Sequence, residues 1–309
     1  MKKLFLRVFI SLIVILVGAD FLFNLFYKNG DFINESERRV WALGLEGGRY
    51  DYTILGSSRA RGALELDMFD STFGTSINLA TDGSGLRDNY IILKRFLERN
   101  TTNRLFLGVD VYNLDAQNMI SQAEFHELDF AIDSVVSTYK AFNERISSRD
   151  QFLLNNLKPL YLIKYNKELI YRLLKNRFTV VDSLKHLRQI TRKDHLSPDR
   201  FFLLNNDSLN LGVNKNDEKM LINIIELCKL NGIDIYCFNS PEFIGYTSIQ
   251  KNRDKIFSNL IQKLDSFGID YYQNTTYNSD STLFKDNVHI SNKGKLIFTT
   301  DYLNHLNNK

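Results

Sequence analysis

Cysteine is nearly absent. Cys228 and Cys237 are the two in 309 residues, too few for a disulfide framework and without the paired Cys or His spacings of a zinc site. They fall in an expected helix and the strand after it, which fits buried free thiols better than a bridge. Three prolines, no low-complexity tract and no internal repeat exclude a linker-rich array or a solenoid. No glycine-rich phosphate loop, metal-ligand set or nucleic-acid motif is present, so no cofactor, metal or nucleic-acid partner is expected. Charge of one sign is lacking too, with a net +3 over the chain. A composition of 44% hydrophobic and 24% charged residues describes a folded body with one large core or two small ones.

One long apolar run is present. MKKLFLRVFISLIVILVGADFLFNLFY opens with Lys2, Lys3 and Arg7, then stays apolar from Val8 to Ala19 apart from Ser11. As a helix, residues 4–27 would extend roughly 36 Å, enough to cross a bilayer with tilt. The basic flank keeps the start inside. Asp20 sits in the outer part of the span, where a carboxylate costs less than at the centre. A cleaved signal peptide is the rival, with small residues Val17 and Ala19 ahead of a cleavage point. The apolar stretch after Ala19 favours a retained anchor, and both readings export the body. The expected organisation is an anchor over 1–28 and an extracytoplasmic domain over 29–309.

The body alternates strand and helix signals. Short apolar, β-branched runs at 52–55, 75–79, 104–111, 233–238 and 269–272 read as strands, and helical patterns fall at 86–99, 216–231, 249–266 and 292–306. Such alternation predicts an α/β fold, a flavodoxin-like parallel sheet of about five strands with helices on both faces. Residues 116–215 break the rhythm. They carry amphipathic patterns and no convincing strand; Ile132, Val135, Val136, Tyr139 and Ile146 share one helical face, so a helical insertion is expected there. Within it, residues 157–193 hold ten Lys or Arg against Glu168 and Asp182, a local +8 that leaves −5 for the rest of the chain. With Tyr161, Tyr165 and Tyr171, this segment fits either a solvated helical face or a surface for anionic headgroups or an anionic polymer.

Two stretches carry candidate chemistry. YDYTILGSSRARG ends a strand in Gly56, Ser57 and Ser58, at the edge where open α/β sheets bind ligands. Either serine is equally suited to capping the next helix. FKDNVHISNKG places Asp286 and His289 three apart just before the last helix, with Ser291 as a plausible cap. A carboxylate at that spacing can accept from the imidazole, fix its tautomer and stabilise its protonated form.

Together these stretches resemble the SGNH, or GDSL-like, hydrolase superfamily, over about 50–113 and 232–309. The family's Gly-Asp-Ser block is matched by Gly56-Ser57-Ser58, which implies Ser58 as nucleophile. Its oxyanion glycine is matched by Gly83 in NLATDGSGL, five residues after Asn78, and its Asp-x-x-His block by Asp286 and His289. The resemblance implies acyl-ester chemistry with Ser58 attacking, His289 as base, Asp286 as orienter, and the amides of Ser58 and Gly83 holding the oxyanion. One block departs. Where the family has an asparagine in Gly-x-Asn-Asp, LFLGVDVYNLD has Asp110, and an ionised aspartate accepts hydrogen bonds without donating. A protonated Asp110, a substrate-binding Asp110, a turn cap, or Asn113 as replacement donor are the readings open at this point. The likeness is nearest to membrane-anchored members associated with teichoic-acid D-alanylation and polysaccharide O-acetylation. It implies a cell-surface glycan or acyl ester as substrate and a multispan membrane acyltransferase as a possible partner. Arg59 and Arg61 then read either as contacts to an anionic substrate or as solvated residues at a helix start.

Overall fold

The computed structural model describes residues 48–111, 114, 148–149, 152–153, 209–213 and 215–309, with the helical positions 3, 5–7, 10–11, 14–15, 17–18 and 21. The chain divides into two compact units, residues 1–44 with 121–183, and residues 45–120 with 184–309. The second unit holds the sheet. More than half of the expected anchor over 4–27, Asn113 and nearly all of the expected insertion over 116–215 lie outside the described residues. Among the described residues, no helix is long and apolar enough to cross a membrane.

The chain order in the second unit is β1 (Arg49–Leu55), α1 (Ser58–Ala63), α2 (Leu66–Phe73), β2 (Ser76–Asn78), α3 (Leu86–Leu97), β3 (Thr101–Gly108), α4 (Lys215–Leu230), β4 (Asp234–Asn239), α5 (Ile244–Thr247), α6 (Arg253–Ser266), β5 (Asp270–Gln273) and α7 (Asn292–Asn307). The five strands form one sheet in the order β2-β1-β3-β4-β5, parallel throughout. This is the flavodoxin-like doubly wound order, and its strand order reverses between β1 and β3.

The strands form because their side chains are buried on both faces, which is why they read as continuous apolar runs. On one face Tyr52, Ile54, Phe106, Phe238 and Tyr272 join Ala60, Phe69, Phe298 and Tyr302 in a core covered by α1, α2 and α7. Aromatic rings dominate it. Tyr52 meets Phe106 edge-on at 5.6 Å, Phe69 meets Phe106 edge-on at 5.2 Å, and Tyr272 stacks on Tyr302 at 4.6 Å. The Tyr52 hydroxyl leaves this apolar layer by donating to Asp70 at 2.8 Å. The alternate strand residues Leu55, Leu105, Leu107 and Cys237 are also fully buried, on the other face.

Helix α1 lies unusually near the sheet. A Cβ on Gly108 would stand 2.4 Å from the Ala60 Cβ, and one on Gly56 would stand 2.6 Å from the same atom. Two strand-end glycines therefore seat the short helix that begins with Ser58. Gly56 also takes φ +142°, a conformation side chains rarely adopt.

Candidate active site

Ser57 and Ser58 divide the two roles open to the serine pair. Ser57 has extended backbone (φ −81°, ψ −172°) and its hydroxyl accepts from the Arg59 amide, so it is the N-cap of α1. Ser58 is the first helical residue, half-buried, with its hydroxyl free to face across the cleft. Its Oγ lies 2.8 Å from His289 Nε2. The amide of a first helical residue has no intrahelical acceptor, so the Ser58 N–H is left for another partner.

The His289 loop is built from its own sequence. Phe284 and Ile290 pair as an antiparallel bridge and are both buried, and the Lys285 amide donates to the His289 carbonyl at 2.8 Å. At the tip Asp286 Oδ1 accepts from the amides of Val288 (2.9 Å) and His289 (2.8 Å), a local side-chain turn typical of aspartate. The same carboxylate meets His289 Nδ1 at 3.0 Å and 2.9 Å through its two oxygens. Nδ1 thus carries the proton towards Asp286, and Nε2 is left to accept from Ser58. Burial raises the Asp286 pKa, but the hydrogen bond and charge of His289 and the two amides outweigh it and push the carboxyl down to about 2. Ser291, as the spacing suggested, caps α7 by accepting from the Gly294 amide at 3.2 Å.

Gly83 sits in a turn with φ +70°. That turn is tied to the Ser58 strand end: the Thr81 amide (2.9 Å) and the Ser84 hydroxyl (2.6 Å) both donate to the Gly56 carbonyl. Asp110 is buried just beyond β3, the strand beside β1. Its Oδ2 lies 3.0 Å from Arg59 Nη1 and 3.5 Å from the Ser57 hydroxyl. Serine, histidine and aspartate are brought into one relay; Gly83 joins the same edge through Gly56, and Asp110 faces the guanidinium of Arg59.

Arg59 is not the solvated residue of a helix start. It is 5% exposed, and its guanidinium is taken up by protein groups. Nε donates to the Val288 carbonyl at 3.1 Å, and Nη2 donates to Asn239 Oδ1 at 3.3 Å and to the Ser240 carbonyl. Nη1 stands 3.0 Å from Asp110 and 3.0 Å from Glu242 without hydrogen-bond alignment, so charge rather than direction holds it there. Glu242 is fully buried and pairs in turn with Arg253. Burial opposes the charge on Arg59, but Glu242 and Asp110 outweigh it and raise the pKa. Arg61 is paired with Asp82 at 2.8 Å. Nothing in the sequence singles out Arg253, and the one signal for Glu242 is a Glu three residues past a strand end, in NSPEF.

No protein-family model matches the chain, and no curated protein sequence does. The geometry therefore carries the reading of the site.

The relay opens on a cleft lined by Ser58, Gly62, Lys285, His289, Asn292 and Lys295, where Lys295 is paired with Glu65. Among the described residues no group of three or more His, Cys, Asp or Glu is arranged to hold a metal ion. What the arrangement can do is transfer a proton: a hydroxyl hydrogen-bonded to an imidazole whose far nitrogen is held by a carboxylate is the general form of an activated nucleophile.

Proposed function

We propose that this protein is a serine acyl-ester enzyme of SGNH type, an esterase or acyl (acetyl) transferase acting on a cell-surface glycan. One observation carries the reading, the continuous relay from Ser58 Oγ through His289 to Asp286, between residues 231 positions apart in the chain. Its place supports the reading as well, since β1 and β3 flank the point where strand order reverses, the usual ligand crevice of this fold.

Ser58 Oγ attacks the ester carbonyl while His289 Nε2 takes its proton, and Asp286 stabilises the imidazolium that forms. The amides of Ser58 and Gly83 hold the oxyanion. The tetrahedral intermediate collapses as His289 returns the proton to the departing alcohol, leaving acyl-Ser58. A second hydroxyl, from water or a glycan, then attacks the acyl carbon, gives its proton to His289, and restores the serine. Asp110 is an acceptor at a position where the family has a donor, and losing one oxyanion donor typically costs about 2.7–4 kcal/mol in the transition state. A slow, specialised enzyme is the consequence. The same Asp110 favours the second reading, a catalytically silent SGNH-like protein that binds carbohydrate or assists a multispan membrane acyltransferase.

The apolar run at 4–27 supports a single-pass anchor with an extracytoplasmic body, and the basic segment at 157–193 supports an anionic polymer as acceptor. Transfer is favoured over hydrolysis wherever an acceptor is held, because oriented hydroxyls reach effective molarities of about 10⁵ M or more. The test is incubation with an acetyl ester and candidate surface glycans, measuring acetylated glycan against free acetate. Both products should vanish in Ser58→Ala and His289→Ala. Free acetate alone, with every glycan, refutes transfer and leaves the esterase; no ester turnover at all favours the silent reading.

A further inference from the structure

Arg59 follows the proposed nucleophile, and its buried guanidinium is engaged through all three nitrogens. From α1 it reaches three separate pieces of the sheet's C-terminal edge: Asp110 beyond β3, Asn239, Ser240 and Glu242 at and beyond β4, and the Val288 carbonyl in the His289 loop. The last contact matters most. Val288 directly precedes His289, and its amide is one of those bound by Asp286. Nε therefore reaches, through one backbone carbonyl, the residue that presents the imidazole to Ser58. On the other side the guanidinium is fixed by two carboxylates, and Glu242 is itself held by Arg253, whose Nη1 donates to Gln250 at 2.5 Å and which lies over the Phe257 ring at 4.6 Å. The result is an alternating chain Asp110, Arg59, Glu242, Arg253, buried throughout and with formal charges that cancel.

An aspartate at the family's asparagine position would leave an uncompensated negative charge beside the place where an oxyanion develops. Arg59 supplies the opposite charge at 3.0 Å. Only a planar fork with donors on three nitrogens can meet Val288, Asn239 and Ser240 while facing both carboxylates; a lysine carries the charge on a single nitrogen.

Resting on the serine-enzyme reading above, we infer that Arg59 is a positioning residue. It holds the His289 loop against the Ser58 helix through the Val288 carbonyl and balances the charge of Asp110, so that base, nucleophile and the charge beside the oxyanion site are set by one side chain. Nothing in the chemistry passes through it.

The test uses the full chain in detergent, with Arg59→Lys, which keeps the charge and loses the fork, and with p-nitrophenyl acetate as substrate. Melting temperature, kcat, KM and the pH profile of kcat/KM are measured. Arg59→Lys is expected to lower kcat by about 10- to 100-fold, as a misplacement near 1 Å does, with KM within twofold and the acid limb of the pH profile displaced. Wild-type kcat with an unmoved acid limb would overturn the inference, and so would an unmoved limb beside a loss that matches the loss of folded protein. If Arg59→Lys does not fold, Glu242→Gln carries the test: it releases the guanidinium on one side, and the same split at several-fold amplitude is expected, whereas wild-type kcat overturns it. The parent reading is scored separately by turnover in the wild type and its loss in Ser58→Ala. An active wild type with an indifferent Arg59 sinks only the positioning role.

Discussion

Adding one methyl group at Gly108 should disable the site from behind. The new Cβ would stand 2.4 Å from the Ala60 Cβ, and ordinary carbon–carbon contact needs about 3.5 Å, so strand and helix must part by about 1 Å. The strand cannot give easily, because Gly108 is paired with Phe238 in the middle of the sheet. Helix α1 is the piece that moves, and it carries Ser58 two residues before Ala60. Overpacking of this kind costs about 1–3 kcal/mol, a fall in melting temperature of roughly 2–10 °C for a body of this size. The 2.8 Å contact from Ser58 to His289 would stretch with it, and a 1 Å misplacement is worth about 10²-fold in rate. Thermal melting and acetyl-ester turnover of Gly108→Ala measure both. Removing the opposing Cβ in Gly108→Ala/Ala60→Gly should restore turnover to within several-fold, while leaving a helix-propensity cost of about 1 kcal/mol. Wild-type stability and turnover in Gly108→Ala, or a double variant no better than the single, would refute the steric argument.

Three further outcomes are expected. The Asp286 carboxyl is pushed below its ordinary range to about 2, so its contribution to stability is fully present above pH 4 and is lost as the pH falls through about 2; the difference in unfolding free energy between wild type and Asp286→Asn should shrink across that window, and a constant difference would contradict it. Ser57→Ala should destabilise by about 1 kcal/mol as a lost N-cap while ester turnover persists, whereas abolished turnover in a folded Ser57→Ala would reverse the division of roles between the two serines. Burial pushes the Cys228 thiol up to about 12 and raises Cys237 as well, so neither should react with a thiol reagent at pH 8 until denaturant is added; rapid labelling of the native protein would show the packing of α4 against β4 to be wrong.

The sheet was legible because buried parallel strands write themselves as apolar runs, and all five expected strands overlap observed ones. Their ends were not. β3 begins at Thr101 rather than 104, since β-branched Thr101 and Thr102 extend the ladder beside Arg49 and Tyr50, and it stops at Gly108 rather than 111. The single helix expected over 249–266 starts instead at Arg253, after the separate turn α5. Asn252 explains this, because its side chain accepts from the Leu211 amide at 2.9 Å and donates to the Leu211 carbonyl at 2.7 Å, holding a neighbouring segment rather than continuing a helix. Of α1 the sequence shows the start, a serine able to cap a helix, and not the extent: Ser58–Ala63, SRARGA, is too short and too polar for a helical period, and it packs against the two strand-end glycines. At the site, the order of the blocks picked out Ser58, Asp286 and His289. The burial of Arg59 was invisible, since an arginine after a turn is ordinarily solvated and its partner Glu242 lies 183 positions away in the chain.

Reaction of the full chain with a serine-directed phosphonate, read by intact mass and peptide mapping, measures the proposed nucleophile most directly. One adduct is predicted, on Ser58, absent in Ser58→Ala and strongly slowed in a folded His289→Ala. No adduct, or an adduct on Ser57, or labelling undiminished in Ser58→Ala, would contradict it.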